Sequence, residues 1–194
     1  MRAFVAVDAP ASAFLAKLQA ELLEVGGWTG KDVKPVEAQN FHFTLIFLGE
    51  VTEEQVQHIC SALSSVWFER FSIEYSRVGA FPVADSARVI WAGINPEGGS
   101  RLDALARQVV SKVTELGFRQ DKPFSPHLTL LRARDRPLRA ASALNKIQSS
   151  MSSTQASLSQ KPYVIDKVHL KKSDLRPAGP VYSNVYTVDA APAL

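Results

Sequence analysis

Cysteine is almost absent: the 194 residues hold one, Cys60. No internal disulfide can staple the fold, and a lone cysteine on a helix's apolar stripe is expected to be a small buried hydrophobe. Long apolar runs are also missing. No stretch approaches the ~18 apolar residues that a membrane helix needs, and no leader pattern precedes the first strand, so a cytoplasmic protein is expected. The chain has no Gly-x-x-x-x-Gly-Lys, no Gly-x-Gly-x-x-Gly and no Gly-x-Ser-x-Gly, which leaves phosphate-loop, dinucleotide and serine-hydrolase chemistries without a motif. Histidine is scarce, at four residues, and no three or four ligands stand at zinc spacing. No cofactor and no metal are therefore expected. No obvious linker interrupts the chain, so a single domain over residues 1–194, or two intimate lobes, is expected. An apolar fraction of 46% suits an ordinary globular core.

What is present is a short pattern that occurs twice: Phe41-His42-Phe43-Thr44-Leu45 and Pro126-His127-Leu128-Thr129-Leu130. The histidines lie 85 positions apart (127 − 42). Each His-x-Thr sits in a β-favouring run, where residues i and i+2 share a face. His42 and Thr44 then point one way, about 7 Å apart at roughly 3.3 Å per residue. Phe41, Phe43, Leu45 and Phe47 point the other way, into a core. His127 and Thr129 share a face, with Leu128 and Leu130 opposite. One such strand is most often a half-wet sheet face. Two in matching context point to paired groups at one reaction centre.

The flanks recur as well. Arg2 to Val7 and Arg88 to Ala92 read as short buried strands. A helical stripe follows each: Phe14, Leu15, Leu18, Leu22 and Val25, with Asp8 and Pro10 as start signals; then Leu102, Leu105, Ala106, Val109, Val113 and Leu116, with Ser100 and Asp103 as a cap and Gly117 at the end. After the first motif, Thr52 to Gln55 reads as a capping box before Val56, Ile59, Cys60 and Leu63. After the second, Asp135 and Pro137 precede a weaker stripe through Ala141, Leu144 and Ile147. Ile73 to Val78 closes the first unit in this reading. Val164 to Leu170 closes the second, with Val181 to Val188 as an extra strand. The order gives an internal duplication, with units of roughly 1–80 and 87–172. Packed about an approximate twofold axis, the two units bring both histidines into one cleft, where small ligands commonly bind.

The formal net charge is +3, which decides little by itself. Residues 119–139 concentrate it: Arg119, Lys122, Arg132, Arg134, Arg136 and Arg139 against Asp121 and Asp135, six minus two. Lys167, Lys171, Lys172 and Arg176 form a second group. Either group is a solvated face or a footprint for phosphates. His58 and His169 read as solvent-facing. Residues 149–160, rich in serine, read as a surface loop.

Paired imidazoles suit proton transfer near neutral pH: one takes a proton from water or a hydroxyl, the other gives one to a leaving oxygen. The neighbouring threonine hydroxyls can donate to phosphate oxygens. Cleavage of a phosphodiester uses both. Which histidine is acid and which base, the symmetric pattern leaves open.

At these residues the chain resembles the two-histidine (LigT-like) phosphoesterase superfamily, and within it the RNA 2',3'-cyclic phosphodiesterases, historically called 2'-5' RNA ligases. The likeness runs from Arg2-Ala3-Phe4-Val5-Ala6-Val7-Asp8 through Asn40 to Glu50, Val89 to Gly93, Pro126 to Arg132, Leu170-Lys171-Lys172-Ser173 and Gly179-Pro180-Val181-Tyr182. It implies an α+β fold of two lobes related by a pseudo-twofold duplication, with two mainly antiparallel sheets lining a central cleft and helices outside. It implies metal-independent hydrolysis of RNA 2',3'-cyclic ends to 2'-phosphomonoesters, in RNA processing, with 2'-5' ligation as the reverse. His42 would be the proton donor, His127 the proton acceptor, and Thr44, Thr129 and Arg132 the phosphate-binding residues. Strict alternation places Arg132 opposite His127, so a bulge, a strand end or a long reach is needed to bring it in. Phe4 and Tyr182 are candidates to stack on a base. The implied partner is RNA with a cyclic phosphate end, tRNA fragments among the candidates. Small nucleotides remain possible, a membrane partner is not expected, and a monomer suffices. Turnover of 2'-5' oligonucleotides or small cyclic nucleotides, and an RNA- or nucleotide-binding module without turnover, are the alternatives.

Overall fold

The computed structural model describes residues 1–152, 161–177 and 179–192. The chain order is β1 (Arg2–Asp8), α1 (Ala13–Gly26), β2 (Val33–Pro35), β3 (His42–Glu50), α2 (Glu53–Leu63), β4 (Phe71–Ile73), β5 (Tyr75–Phe81), β6 (Val89–Ile94), α3 (Pro96–Thr114), β7 (Leu128–Ala133), α4 (Ala141–Met151), β8 (Tyr163–Ile165), β9 (Lys167–Arg176) and β10 (Gly179–Asp189). One sheet has the order β10-β9-β1-β3, a second has β2-β7-β6-β5, and β4 and β8 make a small ladder. The architecture is the expected α+β duplication: β1 and β6 each lie beside a His-x-Thr strand, antiparallel to it.

The closing strands differ from expectation. β5, from the first half, pairs with β6 in the second sheet, and β9, from the second half, pairs with β1 in the first. Helices cross over too. α3 follows β6 yet contacts β3, while the Gln19 amide of α1 reaches the Leu130 carbonyl of β7. α1 packs on α4 and α2 on α3. β5 joins β6, the next strand in the chain, through the short connection 82–88, as consecutive strands usually do, whereas β9 reaches back to β1 across most of the chain.

Most helix boundaries follow from capping. Thr52 and Gln55 form the reciprocal capping box of α2, as their spacing requires. α1 is capped by Ser12, whose side chain accepts from the Leu15 N–H, and not by Asp8, which completes β1. α3 begins earlier than Ser100 because Pro96 fits the first helical position behind Asn95. Gly117, at φ 91°, ends the turn after α3, a left-handed conformation that favours glycine. α4 continues through Ser149, Ser150 and Met151, so the expected loop over 149–160 starts later. Its residues 153–160 lie outside those described.

The core runs between helices and sheets, with Phe43, Leu15, Leu22, Ile90, Leu102 and Leu128 among its fully buried side chains. Strand alternation is broken twice in β3, at Leu48 and Leu45, and once in β7, and the Leu45 and Leu130 bulges directly follow the two motifs. β1 pairs Val5 with Ile46 but Ala6 with Thr44, leaving Leu45 extra; β6 pairs Ile90 with Leu131 but Trp91 with Thr129, leaving Leu130 extra. Each bulge keeps two successive apolar residues in the core, Leu45-Ile46 and Leu130-Leu131, and turns the next residue to the opposite face. Phe47 is therefore 65% exposed rather than in the core. The bulged Leu130 carbonyl is fully used, accepting from the Val36 N–H at 2.9 Å and from Gln19 Nε2 at 2.8 Å. Gln19 also donates to the Val36 carbonyl. Gln19→Leu strips both side-chain bonds from half-buried carbonyls and is expected to lower unfolding free energy by about 1–3 kcal/mol, measured by denaturant titration.

Candidate active site

The motif strands face each other across one cavity of about 240 Å³. His42 and Thr44 line it from the first sheet, and His127, Thr129 and Arg132 from the second. All five residues singled out from the sequence thus come together. Arg132 is there because the Leu130 bulge supplies the change of face that alternation demanded. Phe47 is its counterpart three residues beyond Thr44, and it lines the same cavity.

The two imidazoles are held alike. His42 Nδ1 lies 2.7 Å from the Asn40 carbonyl oxygen, and His127 Nδ1 lies 2.7 Å from the Ser125 carbonyl oxygen. A carbonyl only accepts, so each Nδ1 carries its proton and donates. Nε2 is then the nitrogen left to take or give a proton, on both rings. The residues two before each histidine are thus parts of the site that residue type alone did not reveal.

Surroundings break the symmetry. His42 packs at 5.1 Å from the Phe4 ring and edge-on to Tyr182 at 5.2 Å. Phe4 is only 3% exposed, so it is a floor under His42 and offers no face to a ligand; Tyr182 does line the cavity. His127 stands edge-on to Phe81 at 4.9 Å. Beside it the second sheet presents Arg132, with Lys34 as its cross-strand partner.

A buried ionic group adjoins His42. Lys171 Nζ donates to Asp8 Oδ1 at 2.6 Å, to Asp8 Oδ2 at 2.8 Å and to Asn184 Oδ1 at 2.7 Å. Asp8 is the cross-strand partner of His42. His169 lies beside Asp8 and is 7% exposed, not solvent-facing; its strand is interior to the sheet, between β1 and β10. His58 is exposed, as expected. Burial pushes His42 down to about 4, with Lys171 and Arg132 adding to the fall and the Asn40 carbonyl and Asp8 opposing it. Burial also lowers His127, and Arg132 adds to that.

The second basic group does not form a phosphate footprint. Lys167 pairs with Asp189, Lys171 with Asp8 and Lys172 with Asp174. In the first group, Arg132 lines the cavity while the Arg134 guanidinium donates to the Gly30 carbonyl.

Two facing sheets with paired, identically held histidines define a two-lobed phosphoesterase architecture, and the comparisons agree. The model of the LigT-like phosphoesterases matches residues 5–91 and 93–182, and the chain belongs to this family. A protein of Archaeoglobus fulgidus named RNA 2',3'-cyclic phosphodiesterase is 40% identical over 185 residues, covering 95% of this chain and 98% of its own. One of Aeropyrum pernix with the same name is 38% identical over 164 residues, covering 84% and 89%. The crystal structure of TT0787 of Thermus thermophilus superposes with a TM-score of 0.68 at 27% identity, over 97% of each chain. E. coli LigT superposes with a TM-score of 0.69 at 22% identity, over 98% of each. Among the described residues no helix is long and apolar enough to cross a membrane.

The His42 environment gives a direct check. Its ring should titrate near pH 4 by NMR. Lys171→Gln removes a neighbouring cation and leaves the Asp8 carboxylate, so the midpoint should move up. The sign for stability follows: an unfolded histidine binds its proton near pH 6.5, before folded His42 does. The associated stability is complete above about 6.5 and falls as pH drops toward about 4, and His42→Gln should flatten that loss in denaturant titrations.

Proposed function

We propose that the protein hydrolyses RNA 2',3'-cyclic phosphate ends to 2'-phosphomonoesters by paired histidine catalysis, without a metal. The observation that carries this is the matched tautomer: two cavity-lining imidazoles, each with Nδ1 committed to a backbone carbonyl and Nε2 left for proton exchange. The names of the relatives at 40% and 38% identity support the substrate. The reading treats residues 1–194 as one bilobal domain whose repeat units, roughly 1–80 and 87–172, each contribute one histidine.

In-line attack fixes the geometry. Water enters opposite the bond that breaks, so one histidine stands beside the water and the other beside the departing ribose oxygen. Two aromatic rings, Phe47 and Tyr182, line the cavity from the His42 sheet and one, Phe81, from the His127 sheet, which also carries both cations, Lys34 and Arg132. A nucleoside stacked on the aromatic side puts its 3'-oxygen next to His42. His127 Nε2 then takes the proton from water as the new P–O bond forms. The P–O3' bond breaks, and His42 Nε2 gives its proton to the 3'-oxygen. The 2'-oxygen keeps the phosphate. Thr44, Thr129 and the Arg132 guanidinium hold the non-bridging oxygens as charge builds on them.

Both histidines rest below the ordinary imidazole range, so His42 needs the negative phosphate beside it to hold a proton. Consequently kcat/KM should peak on the acid side of pH 6.5. His42→Ala and His127→Ala should each lower turnover by about 10²–10⁴-fold while leaving substrate binding measurable. The assay is an RNA with a 2',3'-cyclic end, incubated in chelator, with the product resolved as 2'- or 3'-phosphate. Activity lost in chelator and restored by added metal ends the metal-free proposal, and a 3'-phosphate product ends the leaving-oxygen assignment.

A further inference from the structure

Glu37 lines the cavity but belongs to neither His-x-Thr motif, and among the described residues it is the one carboxylate that does so. A carboxylate repels a phosphate, so the cyclic phosphate gives it no task. When ionised it accepts hydrogen bonds and donates none. It can serve only a part of the ligand that presents donors. In a nucleotide chain that ends in a 2',3'-cyclic phosphate, both terminal ribose hydroxyls are esterified. The donors left on the last nucleoside are the N–H groups of its base.

The place of Glu37 in the chain fits that task. It precedes the short turn 38–40, and its side chain makes no capping bond there. Its carbonyl accepts from the Asn40 N–H at 2.8 Å. Asn40 in turn holds His42 through its carbonyl and donates its amide to the Pro180 carbonyl at 3.3 Å. The turn is thus tied both to His42 and to the strand that carries Tyr182. On its other side the Val36 N–H is bonded to the Leu130 carbonyl at 2.9 Å. Glu37 is exposed, but its carboxylate is directed, because Gln39 Nε2 donates to Oε2 at 2.7 Å. A carboxylate has about four lone-pair sites, so that bond leaves room for a ligand.

Stacking on Phe47 or Tyr182 can hold any base, because every base has a π-face. Selection among bases needs a contact with a base edge. Guanine presents N1–H and the N2 amine side by side, and one carboxylate can accept from both. Hypoxanthine keeps N1–H and lacks the amine. Uracil presents one N–H between two carbonyl oxygens, which a carboxylate repels. We propose that Glu37 is a specificity-determining residue that reads the hydrogen-bonding edge of the terminal base and favours guanine. This rests on the phosphodiesterase reading and deepens it by naming the base next to the cyclic phosphate.

The test uses three tetranucleotides that differ only in the last nucleoside, guanosine, inosine or uridine, each ending in a 2',3'-cyclic phosphate. The wild type should open the guanosine end at least about fivefold better than the inosine end in kcat/KM, the lower range for one well-matched edge contact, and the uridine end least well. Guanosine against inosine isolates the amine, since the two purines stack alike. Glu37→Ala should bring that ratio near unity. Glu37→Gln, which keeps the shape but sets a donor against N1–H, should do the same. Equal use of guanosine and inosine ends by the wild type, or an equal loss on both in Glu37→Ala, overturns the role of Glu37. A wild type that opens none of the three overturns the phosphodiesterase reading itself and the inference with it.

Discussion

One extra residue directly after each His-x-Thr, Leu45 and Leu130, sets the site. Regular alternation would leave His and Thr on the cleft face and send the residue three beyond Thr to the other side. The bulges at Leu45 and Leu130 bury two leucine-isoleucine or leucine-leucine neighbours together and return the following side chain to the cleft. Phe47 and Arg132 owe their places to this. Both bulges put two apolar neighbours into the core, while the residue that follows differs between the strands. It is aromatic in one and cationic in the other, and that difference gives a similar pair of strands a direction.

The direction matters because the histidines are otherwise interchangeable. Each is locked by a carbonyl two residues earlier, just before or at the start of its strand, so both present the same nitrogen. Acid and base roles cannot come from tautomer or from strand geometry. In the proposed mechanism they come from what lies beside each ring: Phe4, Tyr182 and the Asp8–Lys171 pair at His42, and Phe81 and Arg132 at His127. The exchange of β5 and β9 between sheets keeps this relation rigid, since neither half of the chain can complete its own sheet. The lobes cannot part without breaking ladders in both.

Much of this was legible in the residues. His-x-Thr twice, at one offset, is a local pattern that alternation converts into shared faces, and the Thr52–Gln55 box is a local hydrogen-bond exchange. Arg132 was legible only as a condition: if it belongs to the site, a bulge, a strand end or a long reach must bring it there, and the Leu130 bulge does. Phe47 was misplaced by the same alternation, since nothing in Leu45-Ile46-Phe47 marks which residue is extra. Strand exchange was not legible, because Ile73 to Val78 and Val164 to Leu170 are equally apolar whichever sheet they join. His169 was misread for a related reason. Its lysine neighbours suggest solvent, yet Lys171 turns inward to Asp8, and only the cross-strand neighbours Thr187 and Asp8, far away in sequence, account for the cover over His169.

That inward pair also bears on the acid role proposed for His42. Lys171 is buried and Asp8 half-exposed, and the Asp8–Lys171 pair stands next to a ring that burial already holds neutral. Lys171 opposes a charge on His42 while Asp8 favours it, so the pair leaves the ring responsive to the next charge that arrives. A cyclic phosphate brings one negative charge into a cavity with low solvent access, where such a charge acts strongly on its neighbours. In the proposed mechanism, binding of the substrate and protonation of His42 are then one linked event: the proton needed for the leaving oxygen is taken up with the phosphate that requires it, while Arg132 beside His127 disfavours a charge on that ring.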